Sequence, residues 1–295
     1  MKGETVVTTD HERIDSHTAL YGVIGDPIRH SKSPIMMNRA FRETGINAVY
    51  TAFHIQGDKL SDFIAGVRAM DIRGFNVTIP HKLAVMELLD VIDEGALAAG
   101  AVNTVVNREG KLIGYNTDGI GYVRSLKEEA ASSLQGKRIV VVGAGGAARG
   151  IVHALAKENP GGIVIANRSV GRAEELAEAV AGRVPAAEAV SFEELPRVCG
   201  EADIVVNTTS VGMFPNTEET PVRAEWLKPG AVASDLIYNP LQTRFLEEAK
   251  ARGCAAHGGL GMFIYQGAYA FEYWTGQAAP AAAMRETVLA ALRQG

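Results

Sequence analysis

Apolar positions along this chain change their spacing in an orderly way. Leu20 to Ile24 is a short apolar run ending in Gly25-Asp26-Pro27, which predicts a strand entering a turn. From Ser33-Pro34 the spacing turns helical through Ala40, Phe41 and Thr44, and Gly45 supplies the stop. Val49 to Ile55 predicts a second strand, and Leu60, Phe63, Ile64, Val67 and Met70 recur at helical spacing. Gly74 to Ile79 predicts a third strand, punctuated by Pro80, and Leu83 to Leu89 another helix. Val102 to Val106 and Lys111 to Tyr115 flank Arg108-Glu109-Gly110 as a hairpin. Strand and helix alternate through this half, which predicts an α/β unit with a mostly parallel sheet.

A second pattern follows a predicted helix over Gly119 to Ala131 and a loop over Ser132 to Gly136. Ile139 to Val142 is an unbroken apolar run of β-branched residues, as expected of a strand buried on both faces. Helices are predicted over Gly145 to Lys157 and Arg172 to Val180, and strands over Ile163 to Ala166, Ile204 to Val206 and Val232 to Leu236. Two closing helices, Met262 to Trp274 and Ala281 to Arg293, are long enough to pack back on the first half. The predicted organisation is a loose tail over 1–17, an α/β domain over 18–118, a Rossmann-type dinucleotide-binding domain over 119–258, and returning helices over 259–295.

Composition narrows the partners. A chain of 295 residues, 47% hydrophobic and 21% charged, can bury the cores of two domains. Its 29 basic and 34 acidic residues give a net charge of −5, which offers no general attraction to nucleic acid or to an anionic membrane. An anionic ligand must therefore be held by local charge. Only two cysteines occur, Cys199 and Cys254, too few for a disulfide framework and in no metal-like cluster. A reducing cytoplasm fits, and no metal is expected. No run approaches the length of a membrane helix, and the first residues lack the apolar stretch of a signal peptide.

Gly143-Ala144-Gly145-Gly146-Ala147-Ala148 fits the dinucleotide pattern G-x-G-x-x-A, between a strand and a helix as that pattern requires. Gly143 permits the tight turn, Gly145 a close approach of backbone to pyrophosphate, and Ala148 close packing of helix on strand. The helix start offers N–H groups and partial positive charge to phosphates. The next strand ends in Asn167-Arg168-Ser169, with Arg172 close behind. A carboxylate usually holds the NAD ribose there; two arginines instead suit the 2′-phosphate of NADP, although the same arginines could simply solvate a helix start.

Three stretches of the first half carry candidate ligand chemistry. Ser31 and Ser33, in Ser31-Lys32-Ser33-Pro34, can aim hydroxyls and N–H groups at a carboxylate, or can merely cap a helix. In Asn76-Val77-Thr78-Ile79-Pro80-His81-Lys82, Lys82 is a candidate acid or base, although most lysines are only solvated. Asn103-Thr104 and Asn116-Thr117-Asp118-Gly119 complete the set, with Asp118 also readable as a cap. All lie at predicted strand ends, where α/β sheets bind ligands.

In order, these stretches resemble the signature segments of the shikimate dehydrogenase family from about Leu20 to the C-terminus. Asn207 to Met213, Asp235 to Pro240 and Gly258 to Ala268 extend the resemblance. It implies an NADP-dependent oxidoreductase that reduces 3-dehydroshikimate to shikimate in chorismate and aromatic amino acid biosynthesis. Ser31 and Ser33 would hold the substrate carboxylate with Tyr238 nearby, and Thr78, Asn103, Asp118 and Gln266 the ring hydroxyls and reacting oxygen. Lys82 and Asp118 would be the catalytic pair. Gly143 to Ala147, Thr208, Ser210 and Ile237 would contact the cofactor, Asn167, Arg168 and Arg172 its 2′-phosphate, and Gly259 and Met262 its nicotinamide. Many relatives have His where this chain has Met37. The expected assembly is a monomer or a homodimer.

The rival readings are a quinate/shikimate dehydrogenase using NAD as well, and a non-catalytic NADP sensor. A glutamyl-tRNA reductase would need a nucleophilic cysteine in the first half, and none is there.

Overall fold

The computed structural model describes residues 14–293. Residues 1–13 of the expected tail lie outside the described residues. Asp15 to Thr18 form a turn in which the Asp15 carboxylate accepts from the His17 amide at 2.9 Å and from Asn47 at 3.2 Å.

The first half runs β1 (Ala19–Gly25), α1 (Ser33–Thr44), β2 (Ala48–His54), α2 (Leu60–Ala69), β3 (Gly74–Val77), β4 (Val91–Ile92), α3 (Glu94–Ala99), β5 (Thr104–Arg108), β6 (Lys111–Tyr115) and α4 (Asp118–Glu129). The second half runs β7 (Arg138–Val142), α5 (Gly146–Ala156), β8 (Gly162–Ala166), α6 (Val170–Val180), β9 (Ala187–Val190), α7 (Leu195–Glu201), β10 (Ile204–Asn207), β11 (Val232–Asp235), α8 (Arg244–Ala251), β12 (Ala255–His257), α9 (Leu260–Thr275) and α10 (Ala281–Arg293). The helical segment expected from Leu83 to Leu89 is a 3-10 helix, Ala84–Leu88. The third strand stops at Val77 rather than Ile79, because the His81 amide turns back to the Thr78 carbonyl at 3.0 Å.

The chain divides into two compact units, one of residues 14–91, 103–114 and 270–293, the other of 92–102 and 115–269. In the first, the sheet order is β2-β1-β3-β5-β6-β4. β1 pairs in parallel with both β2 and β3, whereas β3 and β5 are antiparallel. The chain end returns to this unit, with α10 on α1. Trp274 locks the return: its indole N–H donates to the Val105 carbonyl at 2.9 Å, and its ring lies 5.1 Å from Tyr21. A Cβ on Gly74 would sit 2.2 Å from the Trp274 nitrogen, so only glycine lets β3 pass beneath the indole.

In the second unit six parallel strands take the order β12-β11-β10-β7-β8-β9. Strand order reverses between β7 and β10, the position where doubly wound sheets open a ligand crevice at their carboxyl ends. Residues alternate across β7: Ile139 and Val141 enter one core layer, Val140 and Val142 the other. All four are fully buried, which is why the apolar run has no polar face. A buried polar tie joins α4 to β11 and β12, with His257 bonded to Ser125 at 2.7 Å and to Ser234 at 2.9 Å. No helix among the described residues is long and apolar enough to cross a membrane.

Candidate functional site

Directly after β7 the chain turns at Gly143, whose φ of 106° lies in the region that glycine tolerates. A Cβ there would also meet the Thr208 hydroxyl oxygen at 2.7 Å. Thr208 follows β10, and both its amide (3.0 Å) and its hydroxyl (2.8 Å) donate to the Val142 carbonyl. The two strand ends at the order reversal are thus stitched side by side. Ala144 is buried, whereas Gly145, Gly146 and Ala147 are exposed, and a Cβ on Gly145 or Gly146 would meet nothing within 4 Å. Ala148 is fully buried beneath the helix. A buried glycine turn, an open helix start with unsatisfied N–H groups, and a small packed residue one turn in form a cradle for a pyrophosphate. Ser210, farther along the loop after β10, is exposed.

Beyond β8, the Asn167 amide donates to the Ser169 carbonyl at 2.8 Å and shapes the approach to α6. Arg168 and Arg172 are both exposed, and among the described residues no ion pair engages either. Arg149 on α5, by contrast, is paired with Glu175 at 3.2 Å. The two unpaired guanidinium groups suit a phosphate rather than a ribose hydroxyl.

At the end of β11, Asp235 is fully buried and accepts hydrogen bonds from Thr243 (2.7 Å), Asn207 (3.0 Å) and the Ile237 amide (3.1 Å). Burial still dominates and pushes its carboxyl up from 3.8 to about 6. These bonds fix the turn that carries buried Ile237 and half-buried Tyr238, whose phenol is raised by burial and whose ring stacks on Phe263 at 4.7 Å. Gly259 donates to the Ile237 carbonyl at 3.1 Å, and a Cβ on it would lie 2.0 Å from the Leu236 carbonyl oxygen. That backbone contact sets the start of α9. Met262 packs on the core layer containing Ile139, and the Gln266 amide donates to the Phe263 carbonyl at 2.8 Å.

Asp118 opens α4 as its first residue, with Thr117 at the cap position, so it is not the cap itself. Its amide donates to Asn116 at 3.1 Å, and Asn116 in turn donates to the Ala101 carbonyl. Gly119 lets α4 meet α5 backbone to backbone, since a Cβ there would lie 2.3 Å from the Gly150 carbonyl oxygen.

In the first unit, Ser33 is buried as the first residue of α1, and its amide donates to the Ser31 hydroxyl at 3.2 Å. Lys32 holds the cap position and no side chain caps the helix, so neither serine is spent on that role. Thr78 is half-buried, with its amide on the Ile24 carbonyl at 3.0 Å. His81 is buried with Nε2 at 2.6 Å from the Ile55 carbonyl, which pins the turn that carries half-buried Lys82. Asn103 is buried and its carbonyl accepts from the Val77 amide at 2.8 Å. Met37 is fully buried in the core of this unit.

The polar residues behind this set were not singled out by sequence as a group. Tyr50, Asn76 and Thr104 are buried, with Asn76 accepting from the Tyr50 hydroxyl and donating to the Thr104 hydroxyl. Their sequence signal is a Tyr, an Asn and a Thr at otherwise apolar strand positions. Among the described residues no group of three His, Cys, Asp or Glu could hold a metal ion.

Comparisons with known proteins agree along the chain. Residues 23–105 match the shikimate dehydrogenase substrate binding domain, 125–223 the shikimate / quinate 5-dehydrogenase model, and 259–289 the shikimate 5′-dehydrogenase C-terminal domain. A shikimate dehydrogenase (NADP(+)) from Geobacillus kaustophilus (strain HTA426) is 50% identical over 275 residues, 93% of this chain and 99% of that protein. A crystal structure of a shikimate dehydrogenase in complex with NADP+ superposes with a TM-score of 0.88 at 44% identity, covering 95% of this chain and 98% of that one. Shikimate 5-dehydrogenase from Listeria monocytogenes, in complex with shikimate and NAD, gives 0.88 at 41% identity over 94% and 98%.

Proposed function

This chain belongs to the shikimate dehydrogenase family, an NADP-dependent oxidoreductase family, and from that premise we propose which of its residues carry the reaction. The reaction is the reversible NADPH-dependent reduction of 3-dehydroshikimate to shikimate, a step of aromatic biosynthesis. NADPH, when bound, supplies the hydride. The residues of the chain must do the rest: hold the two ligands, stabilise the charge that develops on the carbonyl oxygen, and provide its proton.

Gly143 to Ala147 receive the pyrophosphate, with Thr208, Ser210 and Ile237 beside it. Asn167 shapes the loop that brings Arg168 and Arg172 to the 2′-phosphate, and Gly259 and Met262 line the nicotinamide side. The observation that carries the cofactor assignment is the exposed, unpaired arginine pair next to an open helix start. Ser31 and Ser33 bind the substrate carboxylate, aided by Tyr238. Thr78, Asn103 and Gln266 bind ring oxygens. The Lys82 ammonium both stabilises the developing alkoxide and delivers its proton, while Asp118 orients and compensates that ammonium.

Domain limits of 18–118, 119–258 and 259–295, and a monomeric or homodimeric assembly, complete the proposal. A reducing cytoplasmic setting fits Cys199 and Cys254, both buried thiols, with Cys199 pushed up to about 12 by burial.

Lys82→Ala tests the chemistry. Its kcat should fall by roughly 10²–10⁴ with a much smaller change in substrate KM, because the lost interaction matters mainly in the transition state. NADPH oxidation with 3-dehydroshikimate, followed by absorbance, measures both. A folded variant that keeps its kcat and only raises KM would make Lys82 a binding residue and end this mechanism.

A further inference from the structure

The first turn of α1 carries Ser33 and Pro34, and one side chain from the second turn ties it to β2. β2 stands at one end of its sheet, next to β1. Its backbone at Tyr50 meets Asn38: the Asn38 side-chain oxygen accepts from the Tyr50 amide at 2.9 Å, and Nδ2 donates to the Tyr50 carbonyl at 2.7 Å. The same Nδ2 also donates back one turn to the Pro34 carbonyl at 2.8 Å. Carbonyls only accept and an amide N–H only donates, so the sense of the Asn38 amide is fixed from both sides. A side chain thus pairs with an edge strand as a neighbouring strand would, and satisfies two of its backbone groups.

The strand residue that receives Asn38 is itself held. Tyr50 is buried, and its hydroxyl donates to Asn76 at 2.7 Å. α1 has no side-chain cap at Lys32, so Asn38 supplies from the second turn a restraint that the cap position lacks. From Pro34 the restraint passes to its sequence neighbour Ser33. The Ser33 amide donates to the Ser31 hydroxyl oxygen at 3.2 Å, which carries it to the second serine.

We propose that Asn38 is a positioning residue for the carboxylate site: by tying the Pro34 carbonyl to β2 it sets where Ser33, and through it Ser31, meets a substrate carboxylate. This rests on the reading of Ser31 and Ser33 as the carboxylate residues. Without the Asn38 amide the first turn loses its tie to the strand, and the two serines no longer keep one fixed arrangement. A carboxylate held by both is sensitive to that loss. A methyl ester, which has no charge to be held, is far less so.

Kinetics of wild type, Asn38→Ala, Ser33→Ala and the double variant test the proposal, with folding checked by circular dichroism. The KM for shikimate is measured in the oxidation with NADP, and the affinity for shikimate methyl ester as competitive inhibition of that reaction. Asn38→Ala should raise the KM for shikimate about 3- to 10-fold, the scale of one neutral hydrogen bond. The ester inhibition constant and the KM for NADP should stay at their wild-type values, so the preference for acid over ester shrinks. A merely structural role would weaken acid and ester alike. On Ser33→Ala the Asn38 substitution should add much less than on wild type, because a hydroxyl it positions is gone. If Asn38→Ala does not fold, Asn38→Ser, whose hydroxyl is too short to span Pro34 and Tyr50, carries the same expectations. An unchanged KM for shikimate in the folded variant, an equal loss for acid and ester, or full additivity with Ser33→Ala would overturn the inference. If Ser33→Ala keeps the wild-type preference for acid over ester, the carboxylate reading of Ser33 falls and takes the inference with it; if Ser33→Ala loses that preference and Asn38→Ala keeps it, the carboxylate reading stands and the positioning role fails.

Discussion

Asp235 should make the fold more stable in mild acid than at neutral pH, opposite to the usual behaviour of a carboxylate. Three donors serve it, yet its burial outweighs them and lifts its carboxyl from 3.8 to about 6. The folded protein therefore binds this proton more tightly than the unfolded chain does. Below the unfolded value both states are protonated and the group costs nothing. As pH rises from about 4 to 6 the unfolded chain ionises first, and stability falls until the folded carboxyl also ionises. The gap of about 2 pH units corresponds to roughly 3 kcal/mol, at about 1.4 kcal/mol per unit. Asp235→Asn keeps an oxygen for Asn207 and the Ile237 amide, and turns an N–H towards Thr243. It removes the titration, so any fixed cost it carries is the same at every pH. Melting curves of both proteins by circular dichroism from pH 4 to 8 give a difference curve free of other titrating groups. The variant should gain on the wild type as pH rises through that window, by on the order of 6–12 °C at about 2–4 °C per kcal/mol for a unit of this size. A flat difference curve, or one that slopes the other way, would refute the argument.

Two other substitutions probe the cofactor side. Replacing Arg168 and Arg172 by Ala should raise the KM for NADPH and leave use of NADH nearly unchanged, with about 1.5–3 kcal/mol lost for each charged hydrogen bond removed; equal loss with both cofactors would count against the 2′-phosphate assignment. Gly143→Ala forces a side chain into a φ of 106° and to 2.7 Å from the Thr208 hydroxyl, so it should lower the melting temperature and weaken NADPH binding together. A variant that melts later than wild type, or binds NADPH as well, would show that the turn relaxes at no cost.

What the sequence disclosed follows the range over which each feature acts. The β7 strand was legible because burial on both faces leaves a continuous apolar run, and Ile139 to Val142 are indeed all fully buried. The glycine turn was legible because its requirements are local: a positive φ at Gly143, open space at Gly145, close packing at Ala148. Short elements went unassigned. α3 spans 6 residues and β12 only 3, too few to establish a period. α8 was missed although Phe245, Leu246 and Ala249 form its buried stripe and Thr243 caps it, because its 8 residues follow directly on the turn that holds Asp235. The 3-10 helix at Ala84–Leu88 shares its hydrophobic spacing with an α-helix over so short a stretch. Least legible were the polar networks, for periodicity reports which face is buried and not which side chains meet. Tyr50 and Asn76 stand 26 residues apart in sequence, and Asn76 and Thr104 28.

Those networks share a physical logic that bears on why they lie where they do. A buried polar group stabilises a fold by little when it is satisfied and costs about 1–3 kcal/mol when it is not, so an apolar replacement would serve stability as well. Stability alone therefore does not account for Asn76 and Thr104, paired across β3 and β5 within the first sheet, or for Asn207 and Asp235 at the ends of β10 and β11. What a satisfied polar network does, and an apolar contact does not, is penalise every alternative arrangement of the groups attached to it. Asn207 gives its amide protons to the Val211 carbonyl and to Asp235 while its oxygen accepts from the Thr209 amide and hydroxyl, so the loop carrying Thr208 and Ser210 has one low-energy course. Asp235 does the same for the turn carrying Ile237 and Tyr238. In each unit the network lies one residue in sequence from a side chain assigned here to ligand binding: Asn207 beside Thr208, Thr104 beside Asn103. Directional bonds placed there would hold the groups proposed to face ligand in position before ligand arrives.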